Sequence, residues 1–367
     1  MKNVRFGIIG IGVIGNLHAE YLMDSNIKNA ELVAVCDIDK GQLEKFTEKY
    51  GDSKKTYLDY KEMITKEELD AVIISTPHYG HPIIAIDCFK AGLHVLSEKP
   101  AGVYSKAVLE MNNAAKESKK VFSVMYCLRT NPCFIKIKEL IDSGEIGTLK
   151  RINWIATNWY RPQAYHNSSS WRSSWEGEGG GVIINQCPHN LDLWQWMFGM
   201  PSEITAFADF GKYYNIEVED DVTVYMRYDS GVTGVFVAST GEAPGSNRLE
   251  IAGSRGQLIY ENNELIFKRT RVDEREFNNS FQGPGMAMPE SWECKIPCDA
   301  LVTPHQKITQ NFVNAILNNE PLIVSGLEGI NEMEISNAIH MSAWKKNTVT
   351  LPVDPEEYYS MLIERIK

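Results

Sequence analysis

The chain has 367 residues, more than one hydrophobic core usually organises, so two domains are expected. Its 43% hydrophobic and 23% charged residues are ordinary for a globular enzyme, and a formal net charge of −11 argues against nucleic acid or an anionic membrane surface as partner. No apolar run is long enough to span a bilayer, the N-terminus lacks a signal-peptide cleavage pattern, and seven scattered cysteines read as reduced thiols, so a cytoplasmic location is expected. Cys294 and Cys298 have no second ligand pair at zinc spacing, and no metal site is expected.

Residues 4–10, VRFGIIG, read as a buried strand ending in glycine, and 13–24 carry helical periodicity. Between them Gly10, Gly12 and Gly15 form G-x-G-x-x-G. A second strand at 31–39 brings Asp37 about 20 residues further on, as a dinucleotide fingerprint requires. Gly10 would make the tight turn and Gly12 would let the backbone approach a pyrophosphate at the helix N-terminus. Gly15 would let the helix pack on the sheet, with Val13 and Ile14 opening that helix beside the cofactor. The Asp37 carboxylate would accept from a ribose 2′-OH and repel a 2′-phosphate, and Asp39 adds charge, so NAD is favoured over NADP.

Strands at 70–77, 94–100 and 121–126 alternate with helices at 81–92 and 105–119, which predicts an α/β fold with a doubly wound parallel sheet of Rossmann type. Ligands bind beyond the carboxyl ends of such strands. Ser75, Thr76, His78, His81, Glu98 and Lys99 fall at or just after these ends. A strand-end lysine is usually solvated; Lys99, between an acid and a stiffening proline at the cofactor edge, is open to a functional reading as well.

From about residue 126 the pattern changes. A helix at 132–144 and a strand at 149–160 lead into a polar loop, 161–181, rich in serine and aromatics. Trp159, Tyr160, Tyr165, Trp171 and Trp175 suit either the wall of a sugar pocket or an oligomer contact. Residues 176–192, EGEGGGVIINQCPHNLD, place Asn185, His189 and Asp192 on one face if the segment is a continuous helix. His189 is then either a base or a packed core residue. Strands at 202–210, 220–228, 231–240, 248–260 and 264–269 follow without long helices between them, which predicts a large, mostly antiparallel open sheet in a C-terminal α+β domain. Such a sheet hides its free face against another subunit. Residues 271–300 read as an inserted loop, and helices near 305–319, 326–344 and 355–366 finish the chain. The expected domains are 1–125, for NAD binding, and 126–367, for substrate binding and oligomerisation.

A nicotinamide cofactor implies hydride transfer, and oxidising a secondary alcohol also requires a base within reach of its proton. Tyr-x-x-x-Lys pairs occur at Tyr50/Lys54 and Tyr57/Lys61, but both precede the apparent third strand and lie away from the nicotinamide. His189 remains, with Lys99 as helper.

The ordered set Gly10/Gly12/Gly15, Asp37, STPHYGH at 75–81, GLHVLSEKP at 92–100 and GGGVIINQCPHNLD at 179–192 resembles the glucose–fructose oxidoreductase/inositol dehydrogenase (Gfo/Idh/MocA) family over nearly the whole chain. The resemblance implies a homo-oligomer built through the C-terminal sheet and NAD(P)-linked oxidation of sugars, inositols or related polyols. It implies that Lys99 contacts the reacting hydroxyl, that His189 is the catalytic histidine, that Glu98 is a cofactor-side acid, and that Trp171 and Arg172 lie near the cofactor. Tyr126, Arg129, Tyr160, Tyr165, Trp175, Asn185 and Asp192 are expected to line the substrate. Many members carry aspartate four residues before the histidine; this chain has Asn185. An amide orients by hydrogen bonds without adding charge, so His189 should be a more readily neutral base unless another acid helps. Asp192 is the nearest acid after it in sequence. The Asn-Gln-x-x-His form is similar to members acting on glucosides and anhydrosugars, and further resembles gut-bacterial oxidoreductases that form 3-keto-glucosides before C-glycoside cleavage. The expected reaction is NAD-dependent, reversible oxidation of a ring secondary hydroxyl, at C3, of a sugar or glucoside. A myo-inositol or other cyclitol 2-dehydrogenase is the alternative, and a non-catalytic NAD-dependent sugar sensor the alternative of another class.

Overall fold

The computed structural model describes residues 3–366. Short apolar runs separated by helical periodicity give β1 (Val4–Ile9), α1 (Val13–Met23), β2 (Ala30–Cys36), α2 (Lys40–Tyr50), β3 (Lys55–Tyr57), α3 (Tyr60–Lys66), β4 (Ala71–Ile74), α4 (Gly80–Lys90), β5 (His94–Ser97), α5 (Ser105–Ser118) and β6 (Phe122–Val124). The six strands are parallel in the order β3-β2-β1-β4-β5-β6. Strand order reverses between β1 and β4, and the crevice beyond their carboxyl ends is where such sheets take ligands. β4 is buried along its whole length, which explains its unbroken apolar run. β3 and α3 escape the sequence reading, so the strand at 71–74 is the fourth, and Tyr57 lies in β3 with its hydroxyl on Glu67.

A turn at Cys127–Thr130 leads to α6 (Pro132–Asp142), β7 (Leu149–Ala156), α7 (Gln163–His166) and α8 (Pro188–Phe198). Then come β8 (Glu203–Phe210), β9 (Glu219–Arg227), β10 (Thr233–Ser239), β11 (Asn247–Gly253), β12 (Gly256–Glu261), β13 (Glu264–Thr270), α9 (Glu274–Ser280), β14 (Ser291–Ile296), α10 (Pro304–Asn318), α11 (Gly329–Lys345), β15 (Val349–Thr350) and α12 (Pro355–Ile363). The second sheet has nine strands, β14-β13-β12-β11-β7-β10-β9-β8-β15, antiparallel except where β7 meets β10. One face buries Trp154, Val224, Phe236, Leu249 and Ile251, with α8 and α11 on the helical side of the domain. Residues alternating with these point the other way, and Ile155, Phe207 and Tyr225 are exposed.

Two boundaries differ from expectation. The stretch 271–300 is not a plain loop: it contains α9 and β14, the outer strand of the second sheet. α10 follows the second sheet in sequence, yet it buries Ile308, Phe312 and Val313 in the core of the first, with the Phe312 ring 6.3 Å from that of Phe6. Among the described residues no helix is long and apolar enough to cross a membrane.

Candidate active site

The glycine turn between β1 and α1 is shaped for a dinucleotide. Gly10 has φ +94°, and a Cβ there would sit 2.6 Å from the Ser75 carbonyl oxygen. A Cβ on Gly15 would lie 1.9 Å from the Gly10 carbonyl oxygen, so this turn of α1 lies directly on the loop. Gly12 is the opposite case: nothing stands within 4 Å of its would-be Cβ, and no side chain caps α1. An open backbone at an uncapped helix N-terminus fits a pyrophosphate. Ser75 ties β4 to the loop by donating Oγ–H to the Gly10 carbonyl at 2.8 Å. Asp37 accepts from Ile11 N at 2.7 Å and from Asp39 N at 2.8 Å. Each oxygen keeps a lone pair for a ribose hydroxyl, and a phosphate there would meet two nearby carboxylates. Val13 is 94% exposed beside this cradle, while Ile14 turns partly inward. Thr76 is half-buried at the end of β4.

The other strand-end residues mostly hold the loops. His81 is buried, with Nδ1 2.8 Å from the Pro100 carbonyl and Nε2 2.8 Å from the Thr76 carbonyl, so it clamps two loops rather than presenting a surface to the cofactor. His78 is also buried; its Nδ1 meets the Glu178 carbonyl at 2.9 Å and its ring stands edge-on to Trp171. Burial keeps both imidazoles below their ordinary pKa. Glu98 is buried with Oε1 2.9 Å from His18 Nε2, and its Oε2 accepts from Lys99 N at 3.2 Å. Burial works to raise its pKa, but the His18 hydrogen bond and the nearby His18, His305 and Lys99 outweigh it and hold the carboxyl at about 2.

Lys99 is half-buried just beyond β5. Its Nζ donates to the Asn185 carbonyl at 2.7 Å and reaches Asn185 Oδ1 at 3.4 Å. Burial lowers the ammonium pKa, while the charges of Glu98 and Glu178 resist that. The Asn185 Nδ2 donates to Glu178 Oε1 and, at 3.1 Å, to the Tyr165 hydroxyl. Tyr165 also accepts from Arg172 Nη1 at 2.8 Å and from Gln186 at 3.2 Å, and the Arg172 guanidinium lies 4.5 Å over its ring and 4.6 Å from that of Trp171. Lys99, Asn185, Tyr165, Trp171 and Arg172 are thus brought together. Tyr160 is exposed on the same loop.

Glu178 is the residue that sequence reasoning passed over. It is buried, and burial raises its pKa to about 7 against the pull of Ser173 N, Asn185, Arg172 and Lys99. It was readable only as one of two acids just before the glycines.

The single helix face expected for Asn185, His189 and Asp192 does not form. Asn185 lies in a wide π-type turn, Val182–Gln186, and α8 starts afresh at Pro188. The turn is pinned from the sheet: Glu219, fully buried at the start of β9, accepts from Gly181 N at 2.8 Å and Ile183 N at 3.0 Å. A Cβ on Gly181 would lie 2.0 Å from the Glu219 carbonyl oxygen, so only glycine fits there. His189 is half-buried, its Nδ1 has no protein partner, and burial with the Lys99 charge lowers its pKa to about 3. It is a neutral imidazole at pH 7.

Asp192 does not serve it. The carboxylate is fully buried and accepts from Arg129 Nε at 2.9 Å and Nη2 at 2.7 Å, and Arg129 reaches on to Glu328 at 2.6 Å. Three other expected substrate contacts are likewise buried. Arg129 is locked in that pair. Tyr126 donates to Glu332 at 3.0 Å and sets its ring edge-on to His189. Trp175 donates to the Glu217 carbonyl at 3.2 Å and meets the stacked rings of His340 and Trp344 edge-on, anchoring the loop.

A parallel sheet that reverses order beside an open glycine cradle, with a lysine and a neutral histidine at its edge, defines a dinucleotide-dependent oxidoreductase. Residues 4–126 match the oxidoreductase family with an NAD-binding Rossmann fold, and residues 134–259 match the GFO/IDH/MocA C-terminal domain. The chain belongs to this family and is an NAD-binding oxidoreductase. It is 29% identical to myo-inositol 2-dehydrogenase of Thermotoga maritima over 71% of this chain and 75% of that one. It is 25% identical to levoglucosan dehydrogenase of Pseudarthrobacter phenanthrenivorans over 96% of this chain and 99% of that one. Among solved structures it is similar to the WlbA dehydrogenase of Chromobacterium violaceum, in complex with NADH and UDP-GlcNAcA, with a TM-score of 0.82 and 28% identity over 96% and 97% of the two chains.

Proposed function

We propose that this protein oxidises a ring secondary hydroxyl, at C3, of a sugar or glucoside to a keto-sugar, reversibly and with NAD. The observation that carries the reading is the Lys99 ammonium, held by Asn185 beside a neutral His189 at the sheet edge that carries the glycine cradle. Bound NAD supplies the hydride acceptor. Lys99 donates a hydrogen bond to the hydroxyl oxygen and stabilises developing negative charge there. Neutral His189 accepts the hydroxyl proton. Trp171, Tyr165 and Arg172 wall the site with ring faces and donors suited to a sugar's apolar faces and polar edges.

The choice of an anhydrosugar- or glucoside-like substrate is supported by the levoglucosan dehydrogenase relative, which aligns almost end to end, and by the amide at position 185. A cyclitol substrate is the second reading, favoured by the identity to myo-inositol 2-dehydrogenase. Exposed Ile155, Phe207 and Tyr225 support pairing of the open sheet face with a second copy, and seven free cysteines support a reducing, cytoplasmic setting.

Lys99→Ala and His189→Ala are each expected to lower kcat by about 100-fold with NAD still bound. The assay follows NADH absorbance and keto-sugar mass over glucosides, levoglucosan and myo-inositol, with a keto-sugar acceptor added so that turnover on retained cofactor is also seen. Near-normal turnover in both variants would overturn the assignment.

A further inference from the structure

We propose that Glu178 is a positioning residue for Lys99: a carboxylate carried by the aromatic loop that fixes the orientation of the Asn185 amide and supplies counter-charge to Lys99 and Arg172. The inference rests on the reading of Lys99 given above and deepens it. Glu178 is 2% exposed; the same burial raises its carboxyl to about 7, so it is mostly ionised by pH 8, and its charge is then little screened. Oε2 accepts from Ser173 N at 2.6 Å, Oε1 accepts from Asn185 Nδ2, and Arg172 Nη1 lies 3.8 Å from Oε1.

An amide has a donor end and an acceptor end, and its neighbours decide which way it faces. The Nδ2 of Asn185 faces the Glu178 carboxylate and the Tyr165 oxygen, which turns Oδ1 toward the Lys99 ammonium. Flipping the amide would set its N–H groups against an ammonium and its oxygen against a carboxylate. Glu178 therefore makes one orientation far better than the other, and that orientation is the one that receives Lys99.

The counter-charge follows from what else surrounds the lysine. Glu98 is ionised and also favours the Lys99 ammonium, but its oxygens are engaged by His18 and the Lys99 N–H and not by Asn185; Asp192 is held by Arg129. His189 and His78 are neutral, with pKa values lowered by burial. Burial raises the Cys127 thiol to about 12 and the Glu332 carboxyl to about 8, both above the roughly 7 of Glu178, so Glu178 is the first of the three to ionise as pH rises. Arg172 adds a second cation. Of the acids near Lys99, Glu178 is the one bonded to the same asparagine.

The test measures Lys99 directly in the NAD-loaded protein. Acylation of Lys99 by acetic anhydride, followed by peptide mass spectrometry across pH, gives the titration midpoint of its amine without any substrate. Glu178→Gln keeps the size and hydrogen-bonding capacity but removes the charge. The midpoint should fall by about one pH unit, so that Lys99 is acylated several-fold faster at pH 8. kcat should fall about tenfold with KM little changed, and adding Asn185→Asp to Glu178→Gln should restore much of it by placing a carboxylate next to Lys99. If Glu178→Gln does not fold, Glu178→Asp should shift the midpoint in the same direction by less. An unchanged midpoint in whichever variant folds overturns the proposal. If the wild type oxidises no sugar or cyclitol, the proposed reaction fails while the Lys99 titration still decides the role of Glu178.

Discussion

Replacing Asp192 with asparagine separates a structural from a chemical role for the acid one turn after His189. The pair it forms with Arg129 is buried, with side-chain exposures of 2% and 1% and two hydrogen bonds of 2.7 and 2.9 Å. Breaking a buried ion pair costs about 3–5 kcal/mol, because the remaining charge is left without its partner in a poorly solvating interior. Two features place this case at the low end. Glu328 stays 2.6 Å from Arg129 at a 42% exposed position, and asparagine keeps one acceptor in the same shape. The expected loss is about 3 kcal/mol, which at a slope of about 3 kcal/mol/M lowers the urea midpoint by roughly 1 M. The assay is urea unfolding followed by tryptophan fluorescence, run beside steady-state turnover well below the unfolding temperature. kcat should remain within about threefold of wild type, the margin for a side chain that touches no reacting atom. A variant with an unchanged midpoint and a kcat lowered 100-fold would show that Asp192 acts on His189 after all, and would refute the reasoning.

Gly12→Ala should leave the unfolding temperature unchanged, since nothing lies within 4 Å of the new methyl, yet weaken NAD at least tenfold, or about 1.4 kcal/mol, by titration calorimetry. Unaltered affinity would place the pyrophosphate elsewhere. Glu332 is raised to about 8 by burial, so the folded protein keeps a proton that the unfolded chain releases near 4.5. Its contribution is complete below about pH 4.5 and is lost as pH rises through 8. Glu332→Gln should flatten the decline in urea midpoint between pH 5 and 8.5, and parallel declines in both proteins would contradict this.

The nucleotide-binding half was legible because its signals are local. A glycine spacing, a strand-end acid and buried parallel strands that read as unbroken apolar runs each lie within a few residues. β3 was missed because three residues with two exposed side chains leave no apolar run to find. β14 was missed because an outer strand whose residues are mostly exposed looks like a charged loop. The periodicity of α10 shows that one face is buried but not against which sheet. In the site, Lys99 and His189 stood out by motif, whereas the assignment of Asp192 rested on assuming one helix through residues 182–192. The π-type turn breaks that register. Glu178 acts across a glycine turn on a loop without periodicity, and sequence spacing carries no information about such a contact.

The bracket from Glu219 to the backbone of Gly181 and Ile183 makes the second sheet the reference frame of the turn that carries Asn185. Glu219 opens β9, the strand that a few residues later turns Thr223 and Tyr225 to the open face. The placement of Asn185, and with it the carbonyl that receives Lys99 Nζ, is thereby tied to a strand that also carries the outer surface of the domain. Shortening or re-registering β9 would move the turn on which Lys99 rests.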